Sequence, residues 1–195
     1  MDKKHNVRKY SRTHQSTSIR LLLKPYRRAI KFTVSFSFLI VLFYLVWFSA
    51  IYNNSIGPRI TAFNAFLSSK ILNILGLGTN QIDNTIYSEA FSIGVSKGCD
   101  GIEAMAVFTS ALLSYPLPGI HKIRGFATGI FLLFGLNLIR IISLFLIGLY
   151  FPSLFELIHK EIWPVAFILA ALGMWGALIY WSTKEQHLQN GLNKG

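Results

Sequence analysis

Phe32 to Ile51 is a run of twenty residues, FTVSFSFLIVLFYLVWFSAI, without a charged side chain. At about 1.5 Å per residue, a helix of that length crosses a hydrocarbon core roughly 30 Å thick. The run is too long and begins too late for a secretory signal peptide, and no small-residue cleavage site in a polar context follows it. It reads as a signal anchor. Three further apolar segments follow, predicting spans over 102–120, 125–150 and 162–183, the last with Trp163 and Trp181 near its ends as interfacial belt residues. The expected fold class is an all-α integral membrane helical bundle of about four transmembrane helices.

Charge sets the direction of the spans. The chain is 52% hydrophobic yet carries a formal net charge of +11, and nine of those charges come from residues 1–31. A soluble basic domain or a disordered basic chain does not combine these properties. The basic segment 1–31 is expected to stay cytoplasmic and to contact anionic lipid. Nucleic acid is not an expected partner, because no folded binding motif accompanies the charge. The segment between the second and third spans carries His121, Lys122 and Arg124 without an acid, as an inward loop should. Both termini are then cytoplasmic, including the tail 184–195, and the segments 52–100 and 151–161 lie outside the cytoplasmic (inner) membrane.

Within the external segment 52–100, residues 59–77 place apolar side chains at helical spacing (Ile60, Phe63, Phe66 or Leu67, Ile71, Ile74 or Leu75) but also hold Asn64, Lys70 and Asn73. An interfacial helix is expected there, with a fifth or re-entrant span as the alternative. Strand-prone pieces around Thr85–Tyr87 and Phe91–Val95 predict a short external hairpin over the active region.

Three reactive residues fall on the outer side of this topology. Cys99, the single cysteine, precedes the second span in Gly98-Cys99-Asp100-Gly101. No intrachain disulfide is available to it, and one thiol alone makes no structural zinc site. A small buried hydrophobe is the plain alternative, but the flanking glycines suggest tight backbone at a helix start, where N–H groups and the helix dipole favour an anion. Arg140 interrupts the third span in Asn137-Leu138-Ile139-Arg140-Ile141. An intramembrane arginine is costly and points to function, and its long side chain can reach outward to the level of Cys99. The alternative is a structural arginine paired with Glu103. His159 lies just before the fourth span. A Cys nucleophile, a His base and an Arg electrophile together support acyl transfer. His121, Lys122 and Arg124 lie across the bilayer and are excluded from that site. No metal or organic cofactor is implied.

The ordered set Gly98-Cys99-Asp100-Gly101-Ile102-Glu103, then Asn137-Leu138-Ile139-Arg140-Ile141, then a histidine in the next external loop resembles the exosortase/archaeosortase family over residues 90–165. The resemblance implies an integral membrane cysteine transpeptidase. Its partners would be membrane-anchored proteins with a C-terminal sorting signal: a short motif, a transmembrane helix and a basic cluster. It puts Cys99 at the nucleophile's position, with Arg140 and His159 completing the catalytic set; Asn137, one turn from Arg140, and Glu103 are candidate supporting residues. Acyl transfer would go to an amine on a lipid or cell-surface acceptor, or to water. One departure is Asp100, where many members have serine. A carboxylate beside the nucleophile opposes a thiolate, so Asp100 is expected to point away or to pair with a cation. The reading from a different class is a non-enzymatic membrane assembly or accessory protein, in which Cys99 is incidental and Arg140 is an interhelical contact.

Overall fold

The structure is a computed structural model that describes residues 26–192. Most of the predicted basic arm and the last three residues of the tail therefore lie outside the described residues. Among the described residues, three helices are long and apolar enough to cross a membrane: α1 (Tyr26–Trp47), α4 (Gly119–Tyr150) and a continuous helical run over Pro152–Ser182. That run contains a 3₁₀ turn (Pro152–Leu154), the short α5 (Phe155–Leu157), a π turn (Ile158–Ile162) and the start of α6 (Trp163–Leu192). With the shorter apolar helix α3 (Ile102–Ser114), they form the expected helical membrane bundle.

The second predicted span differs in its C-terminal part. α3 stops at Ser114 after 13 residues, about 20 Å of helix. Pro116 is the cause: it forces the preceding residue into extended backbone, and Tyr115 has φ −81° and ψ 138°. Extended chain carries the path onward to α4. Lys122 Nζ donates to the Leu113 carbonyl oxygen at 2.7 Å, satisfying an orphan acceptor and placing a cation at the helix C-terminus. His121, Lys122 and Arg124 are thus part of the first turns of α4 rather than of a loop.

Residues 59–77 fall largely in α2 (Gly57–Ile74), which enters from α1 through a π turn at Tyr52–Ile56. Its polarity is inside out. Thr61, Asn64, Ser68 and Ser69 are buried, whereas Phe63, Phe66 and Ile74 are exposed. Such a helix presents apolar side chains outward and small polar ones to the protein interior, a pattern that fits the interfacial placement and the re-entrant or spanning alternative alike. At its end, Asn73 Nδ2 donates to the Thr79 carbonyl at 2.6 Å, and the Ser69 and Thr79 hydroxyls lie 3.1 Å apart. These bonds tie the helix to the strand that follows.

The predicted hairpin is present with an additional strand. β1 (Asn80–Ile82), β2 (Thr85–Tyr87) and β3 (Ser92–Gly94) form an antiparallel meander in the order β1-β2-β3. Asp83, at φ 50°, supports the tight β1–β2 turn. Ile86 and Val95 turn inward and pack with Ala65 and Leu72 of α2 and Ile141 and Phe145 of α4. A second cluster (Met105, Phe108, Leu112, Leu133 and Phe167) joins α3, α4 and α6. Close packing replaces the hydrophobic driving force between helices in lipid, and small residues permit it. Gly148 is such a position: a Cβ there would overlap the Phe91 ring that docks the sheet on α4. Gly148→Val is therefore expected to destabilise the protein by about 1–3 kcal/mol through overpacking, read as a lowered Tm in detergent.

Candidate active site

The Gly98-Cys99-Asp100-Gly101 segment is a tight turn that feeds α3. Gly101 has φ +78°, and a Cβ on it would lie 3.0 Å from both Cβ and Cγ of Asn137. Only glycine fits a left-handed position pressed this closely against a neighbouring helix. The turn is held from three sides by groups on Asp100, which is 1% exposed. The Tyr52 hydroxyl donates to Asp100 Oδ2 at 3.2 Å, the Ile102 N–H donates to Oδ1 at 3.3 Å, and Asn64 Nδ2 donates to the Asp100 carbonyl at 3.3 Å. Asp100 thus points away from Cys99 into hydrogen bonds, with no cation as its partner among the described residues.

Burial pushes the Asp100 carboxyl up from the ordinary carboxylate range, against the opposing hydrogen bonds from Ile102 and Tyr52. Burial, followed by the nearby Asp100 carboxylate, pushes the Tyr52 phenol up as well, so it remains a donor. A carboxyl with a raised folded-state pKa makes its contribution to stability in full below its unfolded value. That contribution is lost as pH rises through the unfolded value to the raised one. We expect stability to decline across that window and the decline to flatten in Asp100→Asn, as measured by thermal unfolding against pH.

Lys97, one residue before this turn, fixes it to the end of α1. Its Nζ donates to the Trp47 carbonyl and to Asn53 Oδ1, both at 2.8 Å, and lies 4.8 Å from the Trp47 ring centroid and 5.0 Å from that of Phe48. Neither this aromatic cage nor the Tyr52–Asp100 bond was visible in the sequence. The partners are 50 and 48 residues apart, and no local pattern couples them.

The turn delivers Cys99 to residues from two other helical segments. Cys99 Sγ lies 3.1 Å from His159 Nε2. Arg140 Nη2 reaches the same sulfur at 3.6 Å, within the longer range of a hydrogen bond to sulfur. His159 stands in the π turn before α6, where the widened backbone aims its ring inward; such turns recur at functional sites. The Phe155 ring packs against it, with centroids 5.5 Å apart. Arg140, only 7% exposed, lies with its Cζ 5.6 Å from the Phe167 ring centroid.

Arg140 makes no ion pair among the described residues, and its buried Nε has no hydrogen-bond partner. A fixed buried cation with a free donor beside a sulfur is suited to a negative charge that arrives during a reaction. Glu103 does not neutralise it: its Oε1 accepts from the Tyr44 hydroxyl at 3.4 Å. Asn137 is fully buried beneath Gly101, and neither of its amide atoms has a hydrogen-bond partner. It supports the turn by packing and makes no hydrogen bond to Arg140. His121, Lys122 and Arg124 lie at the opposite end of α4 from this cluster.

Arg140 lines two cavities. One, of about 550 Å³, is lined by Cys99, Arg140, His159, β3 and the helical segment around Phe155. The other, of about 580 Å³, is a largely apolar groove between α1, α3 and α6, with Gly98, Gly101 and Arg140 among its lining residues. No group of three or more His, Cys, Asp or Glu side chains able to hold a metal occurs among the described residues.

Residues 17–176 match the family model described as transmembrane exosortase. No curated protein and no solved structure matches the chain.

Proposed function

The chain belongs to the transmembrane exosortase family, and from that premise we propose that it is a cysteine transpeptidase or protease that cleaves C-terminal sorting signals at the outer face of the membrane. At family level the activity is membrane protein sorting by transpeptidation, on proteins that carry C-terminal sorting signals. The observation that carries the finer reading is the convergence of His159 Nε2 at 3.1 Å and Arg140 Nη2 at 3.6 Å on one sulfur.

In the proposed reaction, a neutral His159 takes the Cys99 proton at Nε2. The sulfur attacks the scissile carbonyl carbon, a C–S bond forms, and the carbonyl π pair moves onto oxygen. Arg140 stabilises that oxyanion through Nη2 and its unpaired Nε. Collapse restores the carbonyl and breaks the C–N bond, and His159 returns the proton to the departing amine. The released fragment keeps the transmembrane helix and basic cluster. An amine acceptor on a lipid or the cell surface, or water, then attacks the thioester and regenerates the thiol. The substrate's helix docks laterally, and the apolar groove between α1, α3 and α6, which Gly98, Gly101 and Arg140 border, offers it a berth next to the Cys99 turn.

The outward placement of the site rests on charge. Arg27, Arg28 and Lys31 of α1 and Lys122 and Arg124 of α4 share one end of the bundle, where Phe32 packs against Tyr115 with centroids 6.4 Å apart. Cys99 and His159 are at the other end, so the positive-inside rule faces them outward, with both termini cytoplasmic in the inner membrane. The test is co-expression with a tagged reporter that ends in a motif, span and basic cluster taken from a host protein. A shortened reporter that appears only with this chain is the expected result. A reporter that stays intact contradicts the reading.

A further inference from the structure

The cavity at Cys99 has an unusual wall: the open edge of a β-sheet. β3 pairs with β2 on one side only, with Thr85 opposite Gly94, Ile86 opposite Ile93 and Tyr87 opposite Ser92. Hydrogen bonds on either side of this ladder fix which residues face β2. The Ser88 N–H donates to the Phe91 carbonyl at 2.9 Å, and the Val95 N–H donates to the Asn84 carbonyl at 2.8 Å. In an antiparallel ladder, hydrogen-bonded and non-hydrogen-bonded pairs alternate. Residues 91, 93 and 95 therefore direct their backbone groups to β2, while Ser92 and Gly94 direct N–H and C=O away from it.

Ser92 and Gly94 are exposed residues, and among the described residues no other backbone or side chain hydrogen-bonds their outward groups. They face the same cavity as Cys99, Arg140 and His159. Phe91 and Ile93 pack against the core under the sheet, which holds the strand in place. An exposed edge invites pairing with another extended chain and is normally blunted by charge, proline or a covering element. Residues 92–94 read Ser-Ile-Gly, without charge or proline, so only the shortness of the strand limits what can pair with it.

We propose that the segment of the substrate leading to the scissile bond binds as an added β-strand on the free edge of β3, with its backbone hydrogen-bonded to Ser92 and Gly94. The occupant is an extended stretch of the sorting-signal protein, and this inference rests on the transpeptidase reading above. Continuity identifies it: the strand edge and the reacting sulfur share one cavity, and Arg140 lines both that cavity and the groove. Strand addition draws its affinity from main-chain hydrogen bonds and its specificity from alternate side chains. A short edge then needs an extended conformation and only a few recognised residues, and it draws the peptide across Cys99.

The test uses the full chain in membranes with the tagged reporter. Ser92→Pro and Gly94→Pro each remove one outward N–H while leaving the β2 ladder intact, as prolines do on edge strands. A Cβ at Gly94 meets only Thr85 Oγ1, at 3.8 Å, so a side chain there is accommodated. Each variant is expected to process the reporter at least tenfold more slowly while Cys99 still reacts with a membrane-impermeant maleimide. Gln81→Pro, at the corresponding outward position of β1 on the far edge, should stay within twofold of wild type.

Processing within twofold of wild type in both β3 variants, with Cys99 still labelled, overturns the proposal. If those variants lose the labelling, a proline scan of the reporter against the wild-type enzyme decides. Losses at alternate residues before the cut support strand addition, and tolerance throughout or loss at consecutive residues overturns it. A wild-type enzyme that leaves the unmodified reporter intact overturns the transpeptidase reading itself, and the strand proposal falls with it.

Discussion

Cys99→Ala is expected to lower reporter processing by on the order of 10³-fold or more while the protein stays in the membrane at wild-type abundance. The two halves of this expectation come from different features. Catalysis is lost because Sγ is the atom on which His159 and Arg140 converge, and alanine leaves nothing there to carry the acyl group. Abundance is kept because the fold around Cys99 does not depend on the thiol. Asp100, Gly101 and Lys97 hold the turn through Tyr52, Asn64, Asn137 and the end of α1. Cys99 itself is only partly buried, so losing its sulfur costs little packing. Immunoblotting of membranes and of reporter fragments in the same cells measures both. An incidental cysteine in an accessory protein would leave processing unchanged.

Arg140→Gln is expected to lower processing by about 10²–10³-fold, the usual cost of removing an oxyanion donor. Arg140→Lys should recover only part of the loss, because an ammonium keeps the charge but cannot present two nitrogens in a planar fork. The stability readout separates this role from a structural one. Removing one member of a buried ion pair strands the other and costs about 3–5 kcal/mol. Arg140 has no carboxylate partner among the described residues, and Glu103 is engaged with Tyr44. Arg140→Gln should therefore unfold within about 1 kcal/mol of wild type in detergent, since no partner charge is left stranded. A large loss of stability accompanying the loss of activity would mark Arg140 as an interhelical strut instead.

Much of the architecture could be read from the sequence because a bilayer imposes strict rules. Uncharged runs must become helices, and clustered lysines and arginines are expected at one end of the bundle, where Arg27, Arg28, Lys31, Lys122 and Arg124 lie. The juxtaposition of Cys99, Arg140 and His159 followed from the same rules, since a topology drawn from charge puts all three at one level. Other features depended on partners far away in the chain. The apolar positions of α2 were read as a lipid-facing stripe, but the polar face opposite them serves the protein interior, where Asn64 reaches the Asp100 carbonyl. β1 went unread because Asn80-Gln81-Ile82 has little intrinsic strand preference and is held by its pairing with β2 and by the Asn73–Thr79 bonds. The early end of α3 was foreshadowed by Pro116, yet apolar composition alone carried the predicted span past it. That Asp100 points away from Cys99 was one of the two expected outcomes, but its partner could not be inferred, because Tyr52 belongs to a turn that the sequence does not announce.

The claim on which the account rests is that Cys99 becomes acylated by the substrate. It can be measured by acid-quenching the processing reaction and mapping Cys99 by mass spectrometry, with and without neutral hydroxylamine. The predicted result is a hydroxylamine-labile thioester that joins Cys99 to the new C-terminus of the reporter, disappearing in Cys99→Ala. Continued processing with Cys99 never modified, or processing undiminished in Cys99→Ala, would contradict it.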